Sequence, residues 1–331
     1  MNRNKYDKII EGIFHQDRAS LARAITILES TAEHDKEAAF YILKNIANPN
    51  SSKKNKSFRI GISGVPGVGK STFIESFGLF AIEQGHKVAV LAIDPSSSVT
   101  GGSILGDKTR MAFLASHDDA FIRPTPTSGA LGGVANATYE SILLCEAAGY
   151  DFIIIETVGV GQSETEVSML TDFFLLLMLS NAGDELQGVK RGIMELCDAL
   201  YINKADGDNL IKAKTAATEY ASALELIPYK SHQIPRFTGT CSALTKTGLI
   251  ELWERIIAFK NNISDSGFLD KNRNAQQQYF LVKYTLLMIA NYAKKSNSFQ
   301  EKKSEWLHKI ESGEISILEA SNTFAKEYLD V

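Results

Sequence analysis

The segment from Gly64 to Thr72 reads GVPGVGKST and has the G-x-x-x-x-G-K-[ST] spacing of a phosphate loop. An apolar run typical of a strand (58–63) precedes it, and a run typical of a helix (72–83) follows it. Glycines let successive backbone N–H groups turn toward one point, and a helix that begins at Lys70 adds partial positive charge there. We therefore predict a site for the phosphates of a nucleoside triphosphate, formed by Gly64, Val65, Pro66, Gly67, Val68, Gly69, Lys70, Ser71 and Thr72.

Four residues are expected to serve the reaction of this nucleotide. Lys70 would reach the β- and γ-phosphates, and the Ser71 hydroxyl would hold Mg²⁺. Glu156 ends the apolar run 152–156 and begins the sequence E-T-V-G, which resembles the D-x-x-G element of GTPases. Its carboxylate would orient metal-bound water, and Gly159 would offer its N–H to the γ-phosphate.

Two more carboxylates, Asp94 and Asp107, occur in sequence contexts that are typical of Mg²⁺ ligands in such a site. Asp94 comes after the strand-like run 88–93, and Asp107 closes a segment rich in Ser, Thr and Gly (96–107) that is typical of a nucleotide-ordered switch. Asp94 followed by proline also fits a turn or a helix start, and Asp107 also fits a helix N-cap. Gln162 either positions the attacking water or is an ordinary surface residue without a catalytic role. The predicted metal ligands are Ser71, Asp94, Asp107 and Glu156.

An N-K-x-D sequence follows the strand-like run 199–202, about 130 residues after the phosphate loop. The Asp206 carboxylate can accept hydrogen bonds from both N1–H and N2–H₂ of guanine, a donor pair that adenine lacks. The stem of Lys204 would cover the base plane. A further backbone N–H from the segment after the last strand would contact guanine O6. The predicted base-binding residues are Asn203, Lys204, Asp206, Ser242, Ala243 and Leu244.

The bulk composition is that of an ordinary globular protein. The chain has 331 residues, of which 44% are hydrophobic and 22% charged, and a net charge of −4, which gives no electrostatic case for nucleic-acid or membrane binding. Three widely spaced cysteines predict neither a disulfide framework nor a zinc site. The N-terminus lacks an apolar signal core, and the apolar run 173–179 is too short to span a bilayer. We expect a cytoplasmic protein.

The order of the predicted elements indicates an α/β fold with a mostly parallel sheet flanked by helices. Residues 1–52 carry helical apolar patterns and form a predicted N-terminal helical extension, and residues 57–262 form the phosphate-loop NTPase domain. The predicted strands are 59–63, 88–93, 152–156, 173–179, 199–203 and 237–241. Functional residues fall after these strands, where an open α/β sheet binds its ligand.

Residues 265–331 form a predicted C-terminal helical arm. Apolar residues recur at helical spacing over 275–294, and a second helical pattern follows over 306–318. Two helices without a core of their own need a partner surface, which the pattern alone leaves open between the nucleotide domain and a second copy of the chain.

Four blocks of this sequence together resemble the MeaB/ArgK family, GTPases associated with methylmalonyl-CoA mutase. They are GVPGVGKST (64–72), IDPSS (93–97), ETVGVGQSE (156–164) and GDELQG (183–188). The resemblance covers nearly the whole chain. It implies a GTP-hydrolysing chaperone that assists cofactor loading and protection of an adenosylcobalamin-dependent acyl-CoA mutase, with methylmalonyl-CoA mutase as the expected partner and isobutyryl-CoA mutase as the alternative.

The resemblance also implies a homodimer formed through the C-terminal arm, and bound GTP or GDP with Mg²⁺. The family's mobile segment corresponds to 182–191, where Lys190 is the residue that approaches the nucleotide when the partner binds, a catalytic role. Ser180-Asn181 departs from the family, in which proline often comes first at this point. That departure leaves the segment's response to the partner open.

Two other classes share parts of this pattern. A nickel or cobalt insertase GTPase has the same loop and base motif, but such proteins usually carry Cys or His ligands near the nucleotide, and Cys145, Cys197 and Cys241 lack that spacing. A small-molecule kinase or transport ATPase would prefer ATP, which an intact guanine motif argues against.

Overall fold

The computed structural model describes residues 3–30, 32–46, 57–94, 111–126, 134–157, 163–180 and 191–329. The chain divides into two compact units, Met1–Gln276 and Gln277–Val331. The predicted N-terminal helical residues therefore belong to the same unit as the sheet. The domain bounds drawn from the sequence, at 52, 57, 262 and 265, stay predictions.

The first unit is built on a sheet of seven strands in the order β3-β2-β4-β1-β5-β6-β7, and each neighbouring pair is parallel. The central strand β1 lies between β4 and β5, with Ile62 aligned to Glu156 on one side and to Leu175 on the other. The strands are β1 (Phe58–Gly64), β2 (Val88–Asp94), β3 (Ala120–Pro126), β4 (Phe152–Thr157), β5 (Phe173–Met178), β6 (Ala199–Ile202) and β7 (Phe237–Thr240).

Helices surround this sheet and precede it. The described residues before β1 form three helices, namely α1 (Arg3–Phe14), α2 (Arg18–Glu29) and α3 (Glu33–Ile46). Those that alternate with the strands are α4 (Lys70–Glu83), α5 (Ala112–Ser116), α6 (Val134–Ala147), α7 (Ser163–Ser168), α8 (Arg191–Leu196), α9 (Leu210–Glu225) and α10 (Leu249–Asp265), with a 3₁₀ turn at Gly207–Asn209. The C-terminal helices are α11 (Phe268–Lys295), α12 (Asn297–Glu311) and α13 (Ile317–Leu329).

Aromatic side chains hold α4 and α10 against the centre of the sheet. The ring of Phe152 in β4 lies 5.3 Å from that of Trp253 in α10 and 6.1 Å from that of Phe77 in α4, measured between centroids. Phe77 and Phe152 are fully buried. Burial of such rings is the largest single source of stabilisation per residue in a core.

The strand at one edge of the sheet, β3, was not among the six strands predicted from the sequence. It carries Arg123 and two prolines, Pro124 and Pro126, and proline is depleted in strands. Among the strands that the structure describes, β3 pairs with β2 alone, from Val88 beside Ala120 onward. Prolines are tolerated at a sheet edge because one side of the strand has no ladder to donate to.

Other expectations can also be compared with the structure. The three cysteines are free and buried. The helical pattern over 306–318 corresponds to two helices, α12 and α13, rather than one. Among the helices described here, none combines the length and apolar character that crossing a bilayer requires.

Gly61 in β1 offers a test of how closely this sheet is packed. A Cβ at Gly61 would lie 2.7 Å from the Phe174 ring and 3.2 Å from Thr171 Cγ2. Since the Phe174 side chain is buried, Gly61→Ala should lower the free energy of unfolding by about 1–3 kcal/mol in urea denaturation. Gly192→Ala is the control, because a Cβ at Gly192 in α8 meets nothing within 4 Å. This control should leave the stability unchanged or raise it by up to about 1 kcal/mol. Equal losses in the two variants would contradict the packing argument.

Candidate nucleotide-binding site

The predicted phosphate loop joins β1 to α4, the strand–loop–helix arrangement that such a loop requires. Gly67 and Gly69 have φ values of 76° and 91°, a region that favours glycine. The N–H of Val68 donates to the Val65 carbonyl at 3.2 Å, which closes the loop into a turn. The helix then begins at Lys70, so its unpaired N–H groups face the loop.

The loop after β6 is bonded directly to this phosphate loop. Asn203 Nδ2 donates to the carbonyl of Val68 at 2.8 Å, and Lys204 Nζ donates to the carbonyl of Gly67 at 2.8 Å. A Cβ at Gly69 would come within 3.2 Å of Asn203 Nδ2. Glycine at this position therefore permits the close approach of the two loops.

Asn203 also binds the segment that follows β7. Its Oδ1 accepts the N–H of Ala243 at 3.3 Å and lies 3.7 Å from the Cys241 Sγ, and the residue is 1% exposed. The Ser76 hydroxyl of α4 donates to the Ala243 carbonyl at 2.8 Å. The three segments predicted to bind one nucleotide are thus brought together by one buried amide.

The base-binding residues of the prediction lie on two of these segments. The Ser242 hydroxyl donates to the Asp206 carboxylate and accepts the N–H of Thr245 at 3.1 Å. Leu244 is 81% exposed, so its side chain does not fill a core. Lys204 is exposed as well. Polar groups and one aliphatic stem therefore converge beside the phosphate loop, as a site for a planar base requires.

The residues predicted to act on the phosphates lie on the other side of the loop. Lys70 Nζ donates to the Gly64 carbonyl at 2.8 Å. Burial lowers the pKa of Lys70, while the negative charges of Glu156 and Glu164 raise it. A phosphate placed here would offer Lys70 a charged acceptor in place of a neutral carbonyl. Thr72 is exposed on the first turn of α4.

The geometry fits a magnesium ion at Ser71 and Glu156. Ser71 Oγ lies 3.4 Å from Glu156 Oε1, and both are the hard oxygen ligands that Mg²⁺ prefers. In the described part of the chain, no group of three His, Cys, Asp or Glu residues is placed to hold a metal by itself. A site of one hydroxyl, one carboxylate, water and phosphate oxygens is the usual arrangement for this ion.

Several predicted residues cannot be placed. Asp94 ends β2, the strand beside the one that carries Glu156, but only its backbone is described. Asp107, Gly159, Gln162 and Lys190 lie outside the described residues. Their roles stay predictions.

Some residues at this site were missed by the sequence reasoning. Glu164 is 2% exposed and close enough to influence Lys70, and Ser76 binds the segment after β7. Asn209 donates to the Lys204 carbonyl. Their sequence signals are weak, because Glu at a helix start and Ser or Asn near a helix end are common for local reasons.

Comparison with known proteins identifies relatives along most of the chain. The family model described as "Methylmalonyl Co-A mutase-associated GTPase MeaB" matches residues 21–298. A probable GTPase of Mycobacterium tuberculosis is 46% identical over 301 residues, which cover 91% of this chain and 88% of the relative. The GTPase ArgK of Escherichia coli is 45% identical over 300 residues, with coverage of 91% and 89%.

A mouse relative and a solved structure extend the match. The mouse protein, named methylmalonic aciduria type A homolog, mitochondrial, is 42% identical over 328 residues, which cover 97% of this chain and 79% of the relative. The crystal structure of an LAO/AO transport system kinase superposes with a TM-score of 0.74 at 35% identity and covers 100% of this chain and 99% of that one. The predicted α/β phosphate-loop fold and the family resemblance are confirmed.

Proposed function

The chain belongs to the MeaB family of methylmalonyl-CoA mutase-associated GTPases, and from this premise we propose that it is a GTP-hydrolysing chaperone of an adenosylcobalamin-dependent acyl-CoA mutase. The observation that carries the nucleotide part is the direct bonding of the N-K-x-D loop to the phosphate loop, through Asn203 to Val68 and Lys204 to Gly67. Methylmalonyl-CoA mutase is the proposed partner, since the family description names it. The chaperone assists cofactor loading and protection of that enzyme.

The proposed nucleotide is GTP, with GDP as the product. Asp206 accepts the two guanine donors, and the Ser242 hydroxyl bonded to it orients its carboxylate. Lys204 covers the base with its stem and remains tied to the phosphate loop by its ammonium group. The segment after β7 offers a backbone N–H to guanine O6, and Leu244 supplies it, because the N–H of Ala243 donates to Asn203 Oδ1. The base and the phosphates are thus bound by loops that contact each other.

The proposed hydrolysis depends on positioning and charge. The backbone N–H groups of 64–72 bind the phosphates, Lys70 stabilises the negative charge that develops on them, and Glu156 orients the attacking water. Ser71 and Glu156 would hold Mg²⁺, with Asp94 and Asp107 as further ligands, and the bound ion supplies positive charge to the phosphate oxygens. Lys190 is proposed to approach the nucleotide when the mutase binds.

Hydrolysis by the protein alone should be slow. Within the described residues, the side chains that hydrogen-bond to the phosphate loop are those of Lys70, Asn203, Lys204 and Glu156, and none is an arginine. In many GTPases an arginine, often supplied by the partner, provides much of the rate. We therefore propose that the mutase completes the site or orders it.

Substitution of Asp206 tests the proposed guanine recognition. Asp206→Asn loses the charged acceptor for N1–H and N2–H₂, so GTP affinity should fall about 100-fold in calorimetric titration, the loss expected for two charge-assisted hydrogen bonds. Affinity for xanthosine triphosphate should rise relative to GTP, because the asparagine amide can donate to the additional carbonyl of xanthine. Asp208→Asn, at an exposed position two residues away, is the matched control and should bind GTP as the wild type does. A wild-type preference for ATP over GTP would favour a kinase or transport ATPase.

The partner proposal is tested with purified mutases. GTP hydrolysis should be accelerated at least about tenfold by methylmalonyl-CoA mutase, measured as phosphate release, and a stable complex should form with a GTP analogue. Lys70→Ala should abolish the stimulated rate. If isobutyryl-CoA mutase accelerates GTP hydrolysis while methylmalonyl-CoA mutase does not, the proposed partner is wrong, but the proposal that the protein is a mutase chaperone stands. Rapid turnover without any mutase, or no response to either, would contradict the chaperone proposal.

We further propose that the chain is a homodimer formed through α11. Four apolar side chains of this helix are at least 42% exposed and follow each other at spacings of three, four and three residues. This is the a/d spacing by which two helices pack along a shared seam. The seam residues are Tyr279, Val282, Leu286 and Ile289.

A pair of substitutions on α11 tests this dimer. Leu286→Glu places a charge in the seam and should convert a dimer to a monomer of 36.3 kDa in light scattering after size exclusion. Leu281→Glu is the matched control, because Leu281 is 68% exposed, similar to the 62% of Leu286, but lies off the seam. The control should remain dimeric. A monomeric wild type, or equal dissociation by both substitutions, would argue against the seam.

A further inference from the structure

We propose that Asn209 is a positioning residue for guanine-nucleotide binding, because its side-chain amide holds the backbone of Lys204 in the conformation that the base-binding loop requires. This inference rests on the proposed function, in which residues 203–206 bind guanine. Asn209 lies outside the N-K-x-D sequence, and its contribution is visible only in the folded chain.

Lys204 needs such support because its backbone is left-handed. Its φ is 58°, a region that residues with a Cβ seldom adopt without compensating contacts. This conformation turns the chain between Asn203, which bonds to the phosphate loop, and Asp206, which is proposed to bind the base. If Lys204 relaxed to an ordinary conformation, Asn203 and Asp206 could not both keep their places.

Asn209 supplies the bond that faces this turn. Its Nδ2 donates to the Lys204 carbonyl at 2.7 Å. The 3₁₀ turn at Gly207–Asn209 carries the side chain back to that carbonyl, and the N–H of Asn209 donates to the Asp206 carbonyl at 3.1 Å. Asparagine at the start of a helix usually caps it, yet Asn209, at the N-cap of α9, makes no side-chain cap bond. Its amide nitrogen donates to the Lys204 carbonyl instead.

A separate segment holds the other end of this amide. The Ser180 hydroxyl donates to Asn209 Oδ1 at 2.6 Å, and Ser180 lies just after β5. Because the Lys204 carbonyl can only accept a hydrogen bond, the amide nitrogen must face it, and the amide oxygen is left to accept from the Ser180 hydroxyl. Ser180 therefore anchors the other end of the amide that supports the loop.

These bonds form a chain that ends at the phosphate loop. Ser180 binds Asn209, Asn209 binds the Lys204 carbonyl, and Lys204 Nζ binds the Gly67 carbonyl at 2.8 Å. The next residue, Ala205, donates its N–H to the Cys241 carbonyl at 3.0 Å. Loss of the Asn209 bond should thus weaken nucleotide binding without changing the groups that act on the γ-phosphate.

The first test is the isosteric change Asn209→Asp. It keeps the acceptor for Ser180 but replaces the donor that faces the Lys204 carbonyl with an oxygen. GDP affinity in titration with a fluorescent analogue should fall about tenfold, and KM for GTP should rise by a similar factor while kcat is unchanged. Asn261→Asp, on the exposed face of α10, makes the same chemical change and should have no effect. Ser180→Ala should weaken GDP binding about threefold.

A second measurement separates positioning from general stabilisation. Glycine adopts a positive φ without strain, so a Lys204→Gly background should need Asn209 less. Asn209→Ala is expected to weaken GDP binding about tenfold in the wild type and twofold or less in Lys204→Gly. Equal losses in both backgrounds, or a fall in kcat with KM unchanged, would overturn the inference.

The outcomes also separate this inference from the proposed function. A wild-type protein that binds GDP tightly, with Asn209 variants that bind it equally well, overturns the role of Asn209 alone. A wild-type protein that does not bind GDP overturns the proposed function and this inference with it.

Discussion

The close approach of two loops at Gly69 is the constraint on which the site depends. A Cβ at Gly69 would lie 3.2 Å from Asn203 Nδ2, a tight contact with the amide that bonds to the Val68 carbonyl, and Lys204 bonds to the Gly67 carbonyl beside it. Phosphate binding and base binding are therefore parts of one hydrogen-bonded unit. The two loops therefore support each other through these bonds.

The parallel sheet makes this approach possible. The phosphate loop follows β1 and the base loop follows β6, and the two strands are separated only by β5. Since all the strands are parallel, their carboxyl ends lie along one edge, and the loops that leave them meet there. Glu156 reaches the same edge from β4 on the other side of β1. A buried core of apolar strands thus sets the distances between polar residues far apart in sequence.

The sequence predicted the parts of this arrangement that have local signatures. The phosphate loop and the N-K-x-D loop have fixed spacing and follow apolar runs, so their positions at strand ends could be derived. The edge strand β3 was missed because Pro124 and Pro126 weigh against a strand, and only its place at the edge makes them acceptable. The bond from Asn209 to Lys204 could not be predicted, since it requires a left-handed residue and a 3₁₀ turn that no local pattern specifies.

The helices at the two ends of the chain differ in what their exposed and buried surfaces contact. Arg18 in α2 donates to the carbonyls of His117 and Ala115, and Arg123 of β3 pairs with Glu29, also in α2. An edge strand left bare invites pairing with other chains, and α2 lies against β3. Helix α2 therefore covers the edge strand of the sheet. The C-terminal helix α11 instead exposes apolar residues in regular spacing, a cost in water that burial against a second copy would relieve. Of the two flanks, we therefore assign the proposed dimer contact to α11.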